Sequence, residues 1–224
     1  MSIGKYYGPR GRYLEEHKNY FSKKQLKKDV DFLVDTLKLK KKDKILDLAC
    51  GQGRHLIELK KRGYDVEGLD FSAYLLRIAK KQAQEEGLKI NFSRRDVHDF
   101  RLNRKYDKIF LFFSEFGLFD PDKVLRNVSR HLKRGGLFLL DCDNLFRLID
   151  YLKKHPRSKY VFDFARMELR EKSKKGPRVR YYTFPELEKL FIEEGFKIRA
   201  VYGGYQKEEL NAKSKRMIVV AKKG

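Results

Sequence analysis

The chain has 224 residues, of which 41% are hydrophobic and 13% aromatic, enough for a real core in a single domain. Lysine and arginine number 53 against 31 acidic residues, a net charge of +22, so polyanions and anionic substrates are attracted. There is no apolar run of membrane length, no signal-peptide segment at the start, and only two cysteines, Cys50 and Cys142. The expectation is a reduced, cytoplasmic protein without a disulfide framework and without a membrane partner.

Along the chain, strand-type and helix-type segments alternate, which argues for an α/β parallel sheet. Tyr6, Tyr7, Tyr13 and His17 precede the first strong helix. That helix opens at Ser22, where Ser22 and Gln25 are spaced as a capping box, and Leu26, Val30, Leu33, Val34 and Leu37 share one face. KILDL (44–48) reads as a buried strand followed by a glycine turn and a helix over about 53–62. YDVEGLD (64–70) is the second strand, and Ser72 caps a helix running to Gly87. KINFS (89–93) and YDKIFLFF (106–113) are the third and fourth strands. Asp120-Pro121 starts a helix that ends near Leu132, and LFLLD (137–141) is the fifth strand. Then come a helix in NLFRLIDYLKK, two strands around the basic turn SKKGP, and a second capping box at Thr183–Glu186. FKIRAVYGGY and KRMIVVAKK close the chain as an antiparallel pair at one sheet edge.

ILDLACGQGRH (45–55) is the most informative stretch. Gly51 and Gly53 let the backbone approach a ligand at a helix N-terminus. The dinucleotide fingerprint is broken because position 56 is Leu56, and a pyrophosphate sits poorly beside Asp47, whereas a ligand ammonium is helped by it. Asp70 ends the second strand, where an acid accepts from ribose hydroxyls, and Asp96 follows the third, within reach of an adenine amino group. Three carboxylates thus stand at the carboxyl ends of three neighbouring strands, where open parallel sheets bind ligands.

These stretches, with GLDFS, RRDVHDF, YDKIFLFFSEFGLF and LKRGGLFLLD in order, resemble the class I S-adenosylmethionine-dependent methyltransferases over about residues 40–142. The resemblance implies a Rossmann-like three-layer α/β sandwich. Its seven-stranded, mostly parallel sheet has the order 3-2-1-4-5-7-6, the last strand antiparallel, with helices on both faces. It implies one domain: an N-terminal helical cap (1–40), a cofactor core (41–142) and a C-terminal part (143–224) carrying a substrate-side insertion and the last two strands. The implied cofactor is S-adenosyl-L-methionine. Asp47, Ala49, Cys50, Gly51 and Gly53 would hold its methionine part, Asp70 the ribose, and Phe71 would pack on the adenine, whose edge Asp96 and Val97 would read. Phe112 would complete the cofactor-binding set as part of the aromatic wall.

In FLFFSEFGLF (110–119), Glu115 is the candidate general base or amine holder, and Phe116 the substrate wall. Tyr13, His17 and Arg180 are candidate substrate contacts. Cys142 lies between Asp141 and Asp143, which oppose a thiolate. The expected acceptor is a small molecule methylated at oxygen or nitrogen. The alternatives are an RNA methyltransferase, supported by the charge, or a non-catalytic nucleotide- or RNA-binding protein on the same fold.

Overall fold

The computed structural model describes residues 3–18, 22–113, 116–173 and 176–224. Two short helices, α1 (Ile3–Tyr6) and α2 (Tyr13–Glu16), precede α3 (Lys23–Leu37). The core follows as β1 (Lys44–Leu48), α4 (Arg54–Lys61), β2 (Asp65–Asp70), α5 (Ala73–Glu85), β3 (Asn91–Arg94), β4 (Tyr106–Leu111), α6 (Pro121–His131) and β5 (Leu132–Asp143). Beyond it lie α7 (Leu145–Lys154), the short strands β6 (Tyr160–Asp163), β7 (Glu168–Glu171) and β8 (Val179–Arg180), α8 (Phe184–Glu193), β9 (Phe196–Tyr202) and β10 (Arg216–Lys223).

The main sheet has the order β3-β2-β1-β4-β5-β10-β9, and β10 runs antiparallel to both its neighbours. This is the expected seven-stranded order, with the last strand of the chain inserted beside the edge. Its strands are apolar on both faces because both are covered. Leu46, Ile109, Phe138 and Val219 pack with Val124, Val128, Leu187 and Phe191 of α6 and α8. Ile45, Phe110, Leu139 and Ile218 pack with Val30, Leu33, Leu56 and Ala79 of α3, α4 and α5. Burying each such side chain contributes about 1.5–3 kcal/mol before the entropy of ordering it.

Three local readings are corrected. The region after α7 forms a three-stranded sheet, β6-β7-β8, where two strands were expected, because Val179 and Arg180 pair with Leu169 and Glu168. The fifth strand begins at Leu132: Leu132 pairs with Tyr106, Leu137 with Lys108, and the register shift between them absorbs Gly135, whose φ is 76°. At Ser22 only half of the capping box forms. Ser22 accepts from the Gln25 N–H at 3.2 Å, but the Gln25 side chain donates to Asp29 at 2.7 Å.

Candidate functional site

At the carboxyl ends of β1, β2, β4 and β5 and the amino end of the antiparallel β10, the structure opens into a cavity of about 1150 Å³. The β1 end turns sharply. Ala49, Gly51 and Gly53 have φ of 53°, 55° and 74°, left-handed values that fold the turn tightly, with the Cys50 N–H donating to the Leu69 carbonyl at 3.0 Å and the Gly53 N–H to the Cys50 carbonyl at 2.9 Å. Gly53 is also sterically required, since a Cβ there would lie 2.9 Å from Phe92 and 3.0 Å from Ala79. Beneath this turn Asp47 is 2% exposed, and its Oδ2 has no hydrogen-bond partner among the described residues. Burial and then the charge of Asp70 push its carboxyl well up, against the pull of Arg54. Asp70 is buried too, but it accepts from the Gly51 N–H at 2.9 Å and the Ser72 N–H at 2.7 Å. Burial raises its carboxyl while these two donors offset part of the rise.

Arg54, first residue of α4, is held by Asp29 of α3 at 3.1 Å. Asp29 also meets His55 at 3.4 Å and Gln25. Burial would raise the Asp29 carboxyl, and these partners outweigh it and bring it below the ordinary range. Burial, then Arg54, lowers His55 to about 4, so it is neutral at pH 7 and packs edge-on against Phe112 at 5.1 Å. His55 is therefore a structural partner of α3.

Where β4 leaves the sheet, Phe113 has φ 55°, a costly value for an aromatic residue. It is clamped. Its N–H donates to Asp141 at 2.8 Å, and the guanidinium groups of Arg54 and Arg216 lie 5.4 and 5.3 Å from its ring centre. Asp141 is 0% exposed and also accepts from Arg216 Nε at 2.7 Å and Tyr205 OH at 2.9 Å. Arg216 reaches Asp143 as well, and Asp143 accepts from Tyr181 OH at 3.4 Å. Burial opposes the charge on Arg216, but the two carboxylates hold it firmly cationic.

The N-terminal segment covers the other side. Tyr7 packs on Phe71 at 5.6 Å, and Ser72 Oγ donates to the Tyr7 carbonyl at 2.8 Å. Tyr13 and His17 lie 4.8 Å apart and line the cavity. Arg12 pairs with Glu171 at 3.0 Å, which ties this segment to the small sheet.

Of the residues singled out in the sequence, Ala49, Gly51, Asp70, Phe71, Phe112, Tyr13 and His17 come together on the cavity wall. Asp47, Cys50 and Gly53 lie buried in or under the turn, where burial pushes the Cys50 thiol well up. Asp96 and Val97 do not line the cavity: Asp96 is 64% exposed and bonds His98 Nδ1 at 2.5 Å, and Val97 is core. Phe116 is core, 5.6 Å from Tyr182. Arg180 is turned away, pairing with Glu186 at 3.0 Å and stacking on Tyr182 at 4.9 Å. Glu115 lies outside the described residues. Cys142 is buried, with its thiol pushed up by desolvation.

Sequence reasoning missed the parts played by Arg54, Leu75, Asp141, Asp143, Tyr205 and Arg216. The available signal was charge inside apolar strands, in LFLLDCD and at the head of RMIVVA. Among the described residues no helix is long and apolar enough to cross a membrane, and no cluster of His, Cys, Asp or Glu is placed to hold a metal.

A mostly parallel sheet of this order, with a glycine turn after its first strand, defines the class I methyltransferase fold. Residues 45–136 match the family model described as a methyltransferase domain. The fold is therefore that of the class I methyltransferases, and the segment that matches a methyltransferase domain lies within it, from β1 into β5. The chain is 26% identical over 177 residues to an uncharacterized protein of Methanocaldococcus jannaschii, covering 74% of this chain and 66% of that one. It is 32% identical over 101 residues to the dTDP-3-amino-3,4,6-trideoxy-alpha-D-glucopyranose N,N-dimethyltransferase of Streptomyces venezuelae, covering 43% of this chain and 41% of the relative. The chain thus spans less than two thirds of the length of either relative. The fold is shared with the crystal structure of an S-adenosylmethionine-dependent methyltransferase from Clostridium acetobutylicum, at TM-score 0.76 and 22% identity, over 95% of this chain and 99% of that one.

Proposed function

We propose that the chain transfers the methyl group of S-adenosylmethionine to an oxygen or nitrogen of a small-molecule acceptor. One observation carries the cofactor side: the buried Oδ2 of Asp47, without a hydrogen-bond partner among the described residues, beneath a glycine turn that lines the cavity. A buried carboxylate without a donor costs several kcal/mol, and a ligand ammonium or a water held by one relieves it. The residues present fit the cofactor. Asp47 with the turn Ala49–Gly53 would take the amino-acid end, Asp70 the ribose hydroxyls, and Phe71 with Leu75 the adenine face. Asp96 and Val97 stand outside the cavity, so reading of the adenine edge by them would require the 95–98 segment to move.

The cofactor supplies an already activated methyl group on a sulfonium. The chain's work is alignment and exclusion of water. Phe112 and Phe113 offer an apolar wall, and Tyr7, Tyr13 and His17 close the other side. Glu115 follows directly on this wall in the chain and is assigned, on sequence grounds, to proton removal or to holding an acceptor amine. A cavity lined on several sides suits a small acceptor, as does the amino-sugar substrate named for the Streptomyces relative.

Calorimetry with S-adenosylmethionine tests the first half: wild type should bind and Asp70→Ala should lose binding at least tenfold. Tritiated methyl transfer into a fractionated cell extract tests the second. Label in the low-molecular-weight fraction supports the reading, and label confined to RNA overturns it.

A further inference from the structure

The cavity exceeds the about 300–1,000 Å³ of ordinary small-molecule sites, as a site for two ligands should. If the cofactor lies at the β1 and β2 ends, the acceptor lies toward β4, β5 and β10; the inference therefore rests on the proposed function. At that end Arg147, Lys213 and Lys215 line the wall.

These three differ from the other cations of the wall. Arg54 meets Asp29 at 3.1 Å, Lys207 meets Asp35 at 2.5 Å, and Arg216 meets Asp141 at 2.7 Å. Arg147, Lys213 and Lys215 meet no carboxylate within 4.0 Å among the described residues. Asp143, on the same wall, is already engaged by Arg216 and Tyr181. A fourth unpaired cation, Lys28, belongs to α3.

Their convergence is built. Arg147 is in the first turn of α7, and the lysines are in the β9–β10 loop, 66 and 68 residues further on. Asn144, the N-cap of α7 and 5% exposed, spends its whole amide on joining them. Its Nδ2 donates to the carbonyls of Asn211 at 3.0 Å and Ser214 at 2.9 Å, while its Oδ1 accepts from the Phe146 N–H at 3.1 Å. Within the loop, Ser214 Oγ accepts from the Asn211 N–H at 2.9 Å. A buried side chain thus holds a lysine-bearing turn against an arginine-bearing helix, although like charges repel. An anion placed between them reverses that repulsion, and the arginine fork can bind two oxygens at once.

We propose that Arg147, Lys213 and Lys215 form an anion subsite at the acceptor end, so that the methyl acceptor is a small molecule carrying a phosphate or a carboxylate. The anionic group sits at the rim on these three residues, and the methylated atom reaches inward past Asp143 toward Phe113.

The test is a titration of wild-type protein, saturated with S-adenosylhomocysteine, with inorganic pyrophosphate and separately with succinate, at low salt, read by amide chemical shifts. Saturable binding is expected for at least one probe, and the tighter probe names the group. The triple variant R147A/K213A/K215A should weaken it at least tenfold while leaving S-adenosylhomocysteine affinity within twofold. A control, K80A/K89A, removes two exposed cations outside the cavity and should change nothing. The proposal is overturned by non-saturable binding, by equal weakening in the control, or by an unaffected triple variant. It is also overturned if a twelve-nucleotide RNA depends on the three residues while neither small anion binds. If the cofactor product does not bind at all, the proposed function fails, and the same titration without it still decides the anion site.

Discussion

Replacing Arg216 by methionine removes the only cation that meets Asp141 among the described residues. Asp141 is 0% exposed and keeps two donors, the Phe113 N–H at 2.8 Å and Tyr205 OH at 2.9 Å. Breaking a buried pair by deleting one partner costs about 3–5 kcal/mol, because the other charge stays buried. Asp143, 44% exposed, can rehydrate and adds little. The lost stacking on Phe113 adds about 1 kcal/mol. The expected loss is about 4–6 kcal/mol from a total of about 5–15, or roughly 8–24 °C in melting temperature for a chain of this size. Adding Asp141→Asn removes the stranded charge and should recover at least about 2 kcal/mol, a coupling readable in a double-mutant cycle by urea unfolding. The pH dependence has a definite sign. Burial raises the Asp141 carboxyl despite Arg216, so the folded state binds the proton more tightly than the unfolded chain. Stability from this group therefore falls as pH rises above the ordinary carboxylate value, and Arg216→Met should steepen that fall. A cost under about 1 kcal/mol, or a double variant less stable than Arg216→Met alone, would refute the reasoning.

Other consequences follow from single residues. Asp47→Asn should stabilise the free protein by about 1 kcal/mol or more, since an orphaned buried charge is removed, yet weaken S-adenosylmethionine binding at least tenfold; thermal unfolding and calorimetry read the two opposite signs. His55, lowered from 6.5 to about 4, contributes stability above pH 6.5 that is lost as pH falls toward 4, about 3 kcal/mol in all. His55→Gln should flatten that limb of the stability profile, and an unchanged slope would mean His55 is not the group responsible. Gly117→Ala places a Cβ 1.6 Å from the Arg180 carbonyl oxygen, so the short turn at Phe116–Leu118 and β8 must separate. Faster hydrogen exchange in both segments, with the β1 turn unaffected, is the expected outcome.

The strands and the glycine turn after β1 were legible because both are local, while the strand order came from the family resemblance. Apolar runs of strand length, Gly51 and Gly53 after KILDL, and Asp70 at the end of the next strand carry their meaning within a few residues. Even Phe113 could be placed at the end of a buried strand. Its left-handed backbone could not, because the forces holding it come from Asp141, Arg54 and Arg216, which lie 28, 59 and 103 residues away in the chain. The same distance hid the joining of α7 to the β9–β10 loop by Asn144. Arg180, a candidate substrate contact beside two tyrosines, pairs in the fold with Glu186, six residues on. By itself the sequence determined the strands, the helices and the glycine turn after β1, since backbone conformation and burial pattern are properties of short segments. Only the tertiary structure decided the cavity wall at the β5 and β10 side. There the wall is assembled from charges on distant strands, and which of them are paired depends on how closely those strands are brought together.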